Sequence, residues 1–181
     1  VFEREEALGT GSTGKCAGGV RLQFSTAANV EMSRISIAAL KRFEEELGQV
    51  VDFKQNGYLF VLTKEEHLET FRKNAEKQKA LGVPVEVITP LEARSIVAEL
   101  EIDDLVGATF CQEDGIANPH AMVQGYASGA RRLGATFLKS AEVTAMEVGS
   151  GRVRSVTAGG GRFEVEKVVN AAGAWANPVA K

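Results

Sequence analysis

Three stretches of the 181-residue chain hold residue types and spacings suited to chemistry. Glu3 closes Val1-Phe2-Glu3, which reads as the last residues of a buried strand. An acid at the end of the second strand of a dinucleotide-binding βαβ unit hydrogen-bonds ribose hydroxyls. Taken singly, Glu3 reads better as a surface glutamate beside Arg4, Glu5 and Glu6. In the loop Gly11–Val20 (GSTGKCAGGV), small residues permit close backbone approach, while hydroxyls and N–H groups suit phosphate oxygens. It is not a Walker loop, because Cys16 holds the place after Lys15 where magnesium binding needs Ser or Thr. A plain glycine-rich connection has the same composition. The third stretch, Lys167–Trp175 (KVVNAAGAW), is an apolar strand breaking into small residues and then an aromatic. Such an end admits a flat cofactor, or the first turn of a packed helix.

Other reactive residues point to structure. Cys16 and Cys111 form neither a Cys-x-x-Cys pair nor a disulfide framework, which suits a reducing compartment and a cytoplasmic setting. Cys16 is expected to pack as a small buried residue. His67 lies among Lys64, Glu65 and Glu66 on a charged stretch, a solvated position. His120 follows Pro119 with no ligand partner at metal spacing, so no metal site is expected. The net charge of -3 is spread along the chain, which argues against a nucleic-acid partner. Apolar runs such as Tyr58–Leu62 are strand-sized, far short of the roughly 20 residues of a membrane helix.

The elements that must position these residues can be read from punctuation and periodicity. Ile37, Leu40, Phe43 and Leu47 make one helix face that stops at Gly48. Val50–Phe53 and Tyr58–Leu62 flank Asn56-Gly57 and read as an antiparallel hairpin. Thr63 and Glu66 read as a capping box opening a charged helix to about Leu81, and Thr89, Pro90 and Glu92 open a shorter one through Val97. Ala108–Cys111 is a candidate strand, and Asn118-Pro119 starts a helix that ends at Leu133-Gly134. Thr136–Leu138, Val143–Val148, Val153–Thr157 and Phe163–Val169 are β-prone runs split by glycine turns, a strand followed by an antiparallel meander. With 44% hydrophobic residues a sizeable core can form. The class is α/β, with residues 49–117 inserted between 1–48 and 118–181.

In order and spacing, Glu3, Gly11–Thr13, Ala17–Val20, Asp114–Ile116, Asn118-Pro119 and Val168–Trp175 resemble the D-amino-acid oxidase-like superfamily of FAD-dependent oxidoreductases. The resemblance implies a partial Rossmann-like FAD-binding domain at both chain ends and an inserted α+β substrate domain. It implies Glu3 on the adenosine ribose with Arg4 beside the adenine, and Ser12 and Thr13 near the pyrophosphate. Ala17, Gly18, Gly19 and Val20 would lie against the flavin, Val143 would face the adenine edge, and Ala172 and Gly173 would pass close to the cofactor. Arg21 and Gln23 are candidates to face the flavin or a substrate carboxylate, although a structural ion pair accounts for Arg21 equally well.

On this resemblance the chain is an internal segment. The Gly-x-Gly-x-x-Gly turn would precede Glu3, and further substrate-domain strands would follow Lys181. FAD is expected to be non-covalent, since no histidine stands in the flavin-side loop. The whole enzyme is expected to oxidise the C–N bond of an amino acid or secondary amine of glycine, sarcosine or proline type, by hydride transfer to flavin N5. No catalytic residue is assigned. The alternatives are oxidation of a 2-hydroxy acid or glycerol phosphate on the same fold, and a catalytically silent structural segment. The segment alone is expected to be inactive and to associate with itself through exposed strand edges. Peripheral membrane association of the whole protein stays open.

Overall fold

The structure is a computed structural model that describes residues 1–179. The chain packs as two compact units, one of Cys16–Tyr126, the other of Val1–Lys15 with the chain from Ala127 onward.

In the Cys16–Tyr126 unit, β1 (Gly19–Val20) leads through an extended segment to Thr26, whose side chain caps α1 (Ala27–Lys41). The expected single helix breaks at Arg42, and α2 (Phe43–Leu47) carries on to Gly48, which adopts the left-handed conformation expected of it. A three-stranded antiparallel sheet follows, in the order β2 (Tyr58–Leu62), β4 (Gly107–Cys111), β3 (Val85–Ile88). Between its strands run α3 (Glu65–Ala80) and α4 (Pro90–Ile96). β5 (Gly115–Ile116) pairs antiparallel with β1. α5 (Pro119–Arg132) begins here, and Asn118 caps it by accepting the Ala121 N–H at 3.1 Å.

Two apolar clusters hold this unit. Leu22, Val30, Ile37, Ala75, Val83, Val85 and Cys111 join α1 and α3 to the sheet. Leu40, Phe43, Val51, Ala117 and Ala121 join α1 and α2 to the start of α5. Gly125 explains itself by this second cluster. A glycine within a helix costs about 1 kcal/mol relative to alanine, yet a Cβ here would run into the Phe43 ring.

Two local readings fail here. Val50–Phe53 and Tyr58–Leu62 do not form a hairpin. β2 pairs with β4, Tyr58 opposite Cys111, whereas Lys54 bridges Ile116 and the Asn118 N–H reaches the Val51 carbonyl at 2.7 Å. Only Gly57 of the Asn56-Gly57 pair has positive φ, and its N–H bonds to the Asp114 carbonyl. A two-residue hairpin of the expected kind needs both central residues there, so the chain bends instead and both arms pair with the 107–118 stretch. The Thr63/Glu66 box is also absent, because α3 starts one residue later with Lys64 at its cap and no side-chain cap bond. The Thr89/Glu92 box forms in full.

In the other unit, Phe2 and Leu138 form an isolated parallel bridge, with Glu3 N–H to the Leu138 carbonyl and Leu138 N–H to the Val1 carbonyl, both 2.9 Å. Thr136–Leu138 is thus a single bridge where a strand was expected. The meander forms as β6 (Val143–Gly149), β7 (Arg152–Ala158) and β8 (Gly161–Glu164), all antiparallel. Phe2 packs on Phe163, ring centroids 4.9 Å apart.

The strand expected through Val169 stops at Glu164. Lys167–Val169 has strand composition but no ladder among the described residues, and Val169 is 90% exposed. Asn170 then competes for the backbone: its Oδ1 accepts the Ala172 N–H and its Nδ2 donates to the Ala176 carbonyl. A 3-10 turn (Gly173–Trp175) and α6 (Ala176–Val179) follow. Among the described residues, no helix is long and apolar enough to cross a membrane.

Candidate functional site

In the Cys16–Tyr126 unit, the extended segment after β1 lies beside a cavity of about 270 Å³. Arg21, Gln23, Phe60, Phe71, Asn74 and Thr109 are among its walls. The segment is fixed from below by a carboxylate. Asp114 is 0% exposed; its Oδ1 accepts the Leu22 N–H at 2.6 Å and its Oδ2 accepts from Gln23 Nε2 at 3.0 Å. Gln23 Nε2 also donates to the Tyr58 carbonyl at 2.9 Å, and its Oε1 accepts the Thr109 hydroxyl at 2.7 Å. Gln78, from α3, donates to the Phe24 carbonyl at 2.8 Å.

The Arg21 guanidinium stands 4.6 Å from the Phe24 ring centre and 5.2 Å from that of Phe60, within the range of cation–π attraction. Among the described residues it makes no salt bridge, and Asp114 acts on it only through longer-range attraction. The ion-pair account of Arg21 therefore has no partner here. A cation backed by aromatic faces, with donors unspent, suits a carboxylate.

Burial pushes the Asp114 carboxyl above its ordinary range, and the bonds from Gln23, Leu22 and Cys111 pull it only part of the way back. Burial, then repulsion from Asp114, pushes the Cys111 thiol up to about 12.

The loop Gly11–Val20 runs from an exposed turn into β1. Ser12 and Thr13 lie on the exposed turn that closes with Lys15 N–H on the Ser12 carbonyl. Cys16 is exposed, against the expectation of burial, because among the described residues it joins neither apolar cluster. Gly18 is buried at positive φ, and a Cβ there would strike the Ala117 carbonyl. Its glycine identity is thus accounted for by β5 and the start of α5. Gly19 and Val20 form β1, and Ala17 is exposed.

In the other unit, Glu3 Oε1 accepts the Glu5 N–H at 2.9 Å, and Arg4 lies 4.5 Å from the Trp175 ring centre while bonding Glu5 at 2.7 Å. The two ends of the described chain meet there. Val143 opens β6 opposite Ala158. Ala172 precedes Gly173, whose positive φ and open surroundings leave room at its Cα. A strand-ending carboxylate with Oε2 unused among the described residues, beside a stacked cation and ring, fits the ribose and base of an adenosine.

The FAD dependent oxidoreductase (DAO) family model matches residues 1–181. The chain belongs to that family. Among solved structures it is similar to L-proline dehydrogenase from P. horikoshii, 37% identical with a TM-score of 0.88, covering 99% of this chain and 48% of that one. It is similar also to glycine oxidase from Geobacillus kaustophilus, 25% identical with a TM-score of 0.86, covering 99% and 50%. Human mitochondrial sarcosine dehydrogenase is 29% identical over the whole chain. The chain spans 20% of the length of that relative and about half of each solved structure.

His67 and His120 are exposed, and no group of metal-ligating residues occurs among the described residues. Asp114, Thr109, Phe60 and Phe71 are the site residues that sequence reading did not single out. Asp114-Gly115 stood within a family-like segment, but Thr109 and the two phenylalanines carried no local signal.

Proposed function

We propose that the whole protein carrying this chain is an FAD-dependent oxidoreductase that oxidises the C–N bond of an amino acid or secondary amine, and that Arg21 binds the substrate carboxylate. The Arg21 guanidinium, lining a cavity with no salt-bridge partner among the described residues, carries the reading. Family membership and likeness to L-proline dehydrogenase and glycine oxidase support it. FAD, when bound, supplies the electron acceptor. Glu3 and Arg4 hold its adenosine, with Val143 at the adenine edge. Ser12 and Thr13 serve the pyrophosphate, and the backbone at Ala17, Gly18, Gly19, Val20, Ala172 and Gly173 approaches the cofactor. Residues 49–117 supply the substrate side, including Phe60, Phe71 and Thr109.

Gln23 acts as a support. By tying the segment after Arg21 to Asp114 and Tyr58 it keeps the guanidinium in place while α3 and the sheet exclude water. Steady-state kinetics of the full-length protein test this. Arg21→Met is expected to raise KM for amino acids roughly 10- to 100-fold, the loss of a charge-assisted bond, with less effect on kcat. An unchanged KM would refute the role.

A further inference from the structure

We propose that Thr109 sets ligand specificity in the cavity, its Oγ1 offering a lone pair that accepts an N–H from the substrate's amine or ammonium. This rests on the amino-acid reading and deepens it.

The polarity of the cavity floor follows from groups that cannot change role. The Tyr58 main-chain carbonyl can only accept, so the Gln23 atom 2.9 Å from it is the NH2 end of the amide. That assignment holds whatever the state of Asp114, whose Oδ2 takes the second proton of the same nitrogen. The amide oxygen is then the atom 2.7 Å from Thr109 Oγ1. An amide oxygen cannot donate, so that bond takes the single hydroxyl proton of Thr109. The hydroxyl has no proton left for a ligand, but it keeps lone pairs, and Thr109 lines the same cavity as Arg21.

The cavity therefore presents donors at Arg21 and an acceptor at Thr109. Its complement is a ligand that accepts at one end and donates at the other, as a carboxylate with a neighbouring N–H does. A carboxylate with an ether oxygen in place of the nitrogen would set two acceptors face to face. The hydroxyl of a 2-hydroxy acid could also donate, so ether acids are the discriminating probes.

The test uses the full-length, FAD-loaded protein with sarcosine and methoxyacetate, and L-proline and tetrahydro-2-furoate, as isosteric pairs. kcat/KM is measured for each amino acid, and the inhibition constant and melting-temperature shift for each ether acid. Thr109→Val is expected to lower kcat/KM for the amino acids roughly tenfold or more while leaving ether-acid inhibition unchanged or tighter. Thr109→Ser, which keeps the hydroxyl, is expected to restore the amino-acid values. Flavin content checks that each variant folds. Equal weakening of both members of a pair, or no effect on the amino acid, overturns the role of Thr109 alone. Arg21→Met is expected to weaken both members; if it alters neither, or if wild-type protein takes up no member of either pair, the amino-acid reading itself fails and this proposal with it.

Discussion

Asp114 governs the cavity without lining it. Its two oxygens are occupied by Leu22 and Gln23, and the Cys111 thiol donates to it as well. Removing the carboxylate would leave the buried Leu22 N–H and one N–H of the Gln23 amide without acceptors, so Asp114→Ala is expected to cost about 2 to 4 kcal/mol of stability by chemical denaturation. The neighbouring thiol gives a pH prediction. Cys111 is buried and titrates near 12 folded, against an ordinary value of 9.0. Its contribution to stability is therefore complete below about 9 and is lost as pH rises from about 9 toward about 12. The stability difference between wild type and Cys111→Ala should shrink over that range. A thiol reagent at pH 8 should label Cys16, which is exposed, and reach Cys111 only after unfolding. Rapid labelling of both in the folded protein would contradict the structure. Arg21 and Gln23 were legible as candidates because they follow the glycine run. Their partners were not, because Asp114 and Thr109 lie 91 and 86 residues from Gln23 and only the fold brings them together.

The elements separate signals that act locally from those that need a partner. Thr89, Pro90 and Glu92 close a capping box within one turn, and the structure forms it as the sequence implies. Asn56-Gly57 is an equally strong local signal, but it specifies a bend and not which strand pairs beyond it. Lys167–Val169 has strand composition and no ladder. The two threonines provide a direct comparison: Thr89→Ala is expected to cost about 1 kcal/mol, and Thr63→Ala close to nothing, in thermal denaturation. A matching loss at both would mean that α3 is capped after all. Packing makes the opposite case at Gly125, where alanine favours a helix yet its Cβ has no room beside Phe43. Gly125→Ala is therefore expected to lower the melting temperature, and a rise would show that Phe43 yields easily.

At the scale of the whole molecule, the composition and the order of motifs pointed to a mixed α/β chain of the FAD-dependent oxidoreductase family, and the match over residues 1–181 bears out the family. A Rossmann-like domain is built on parallel strands, and among the described residues the parallel pairing is the bridge between Phe2 and Leu138. Neither histidine lies in the Gly11–Val20 loop, so acid precipitation of the full-length protein is expected to release all flavin to the supernatant. Flavin that stays with the precipitate would show a covalent link. The most direct measurement is the visible flavin absorbance of that protein, purified and kept free of oxygen, as candidate substrates are added. Bleaching by an amino acid or secondary amine, and far slower bleaching in the Arg21→Met variant at the same low concentration, is the predicted result. Bleaching by 2-hydroxy acids or glycerol phosphate, with every amino acid leaving the spectrum unchanged, would contradict it.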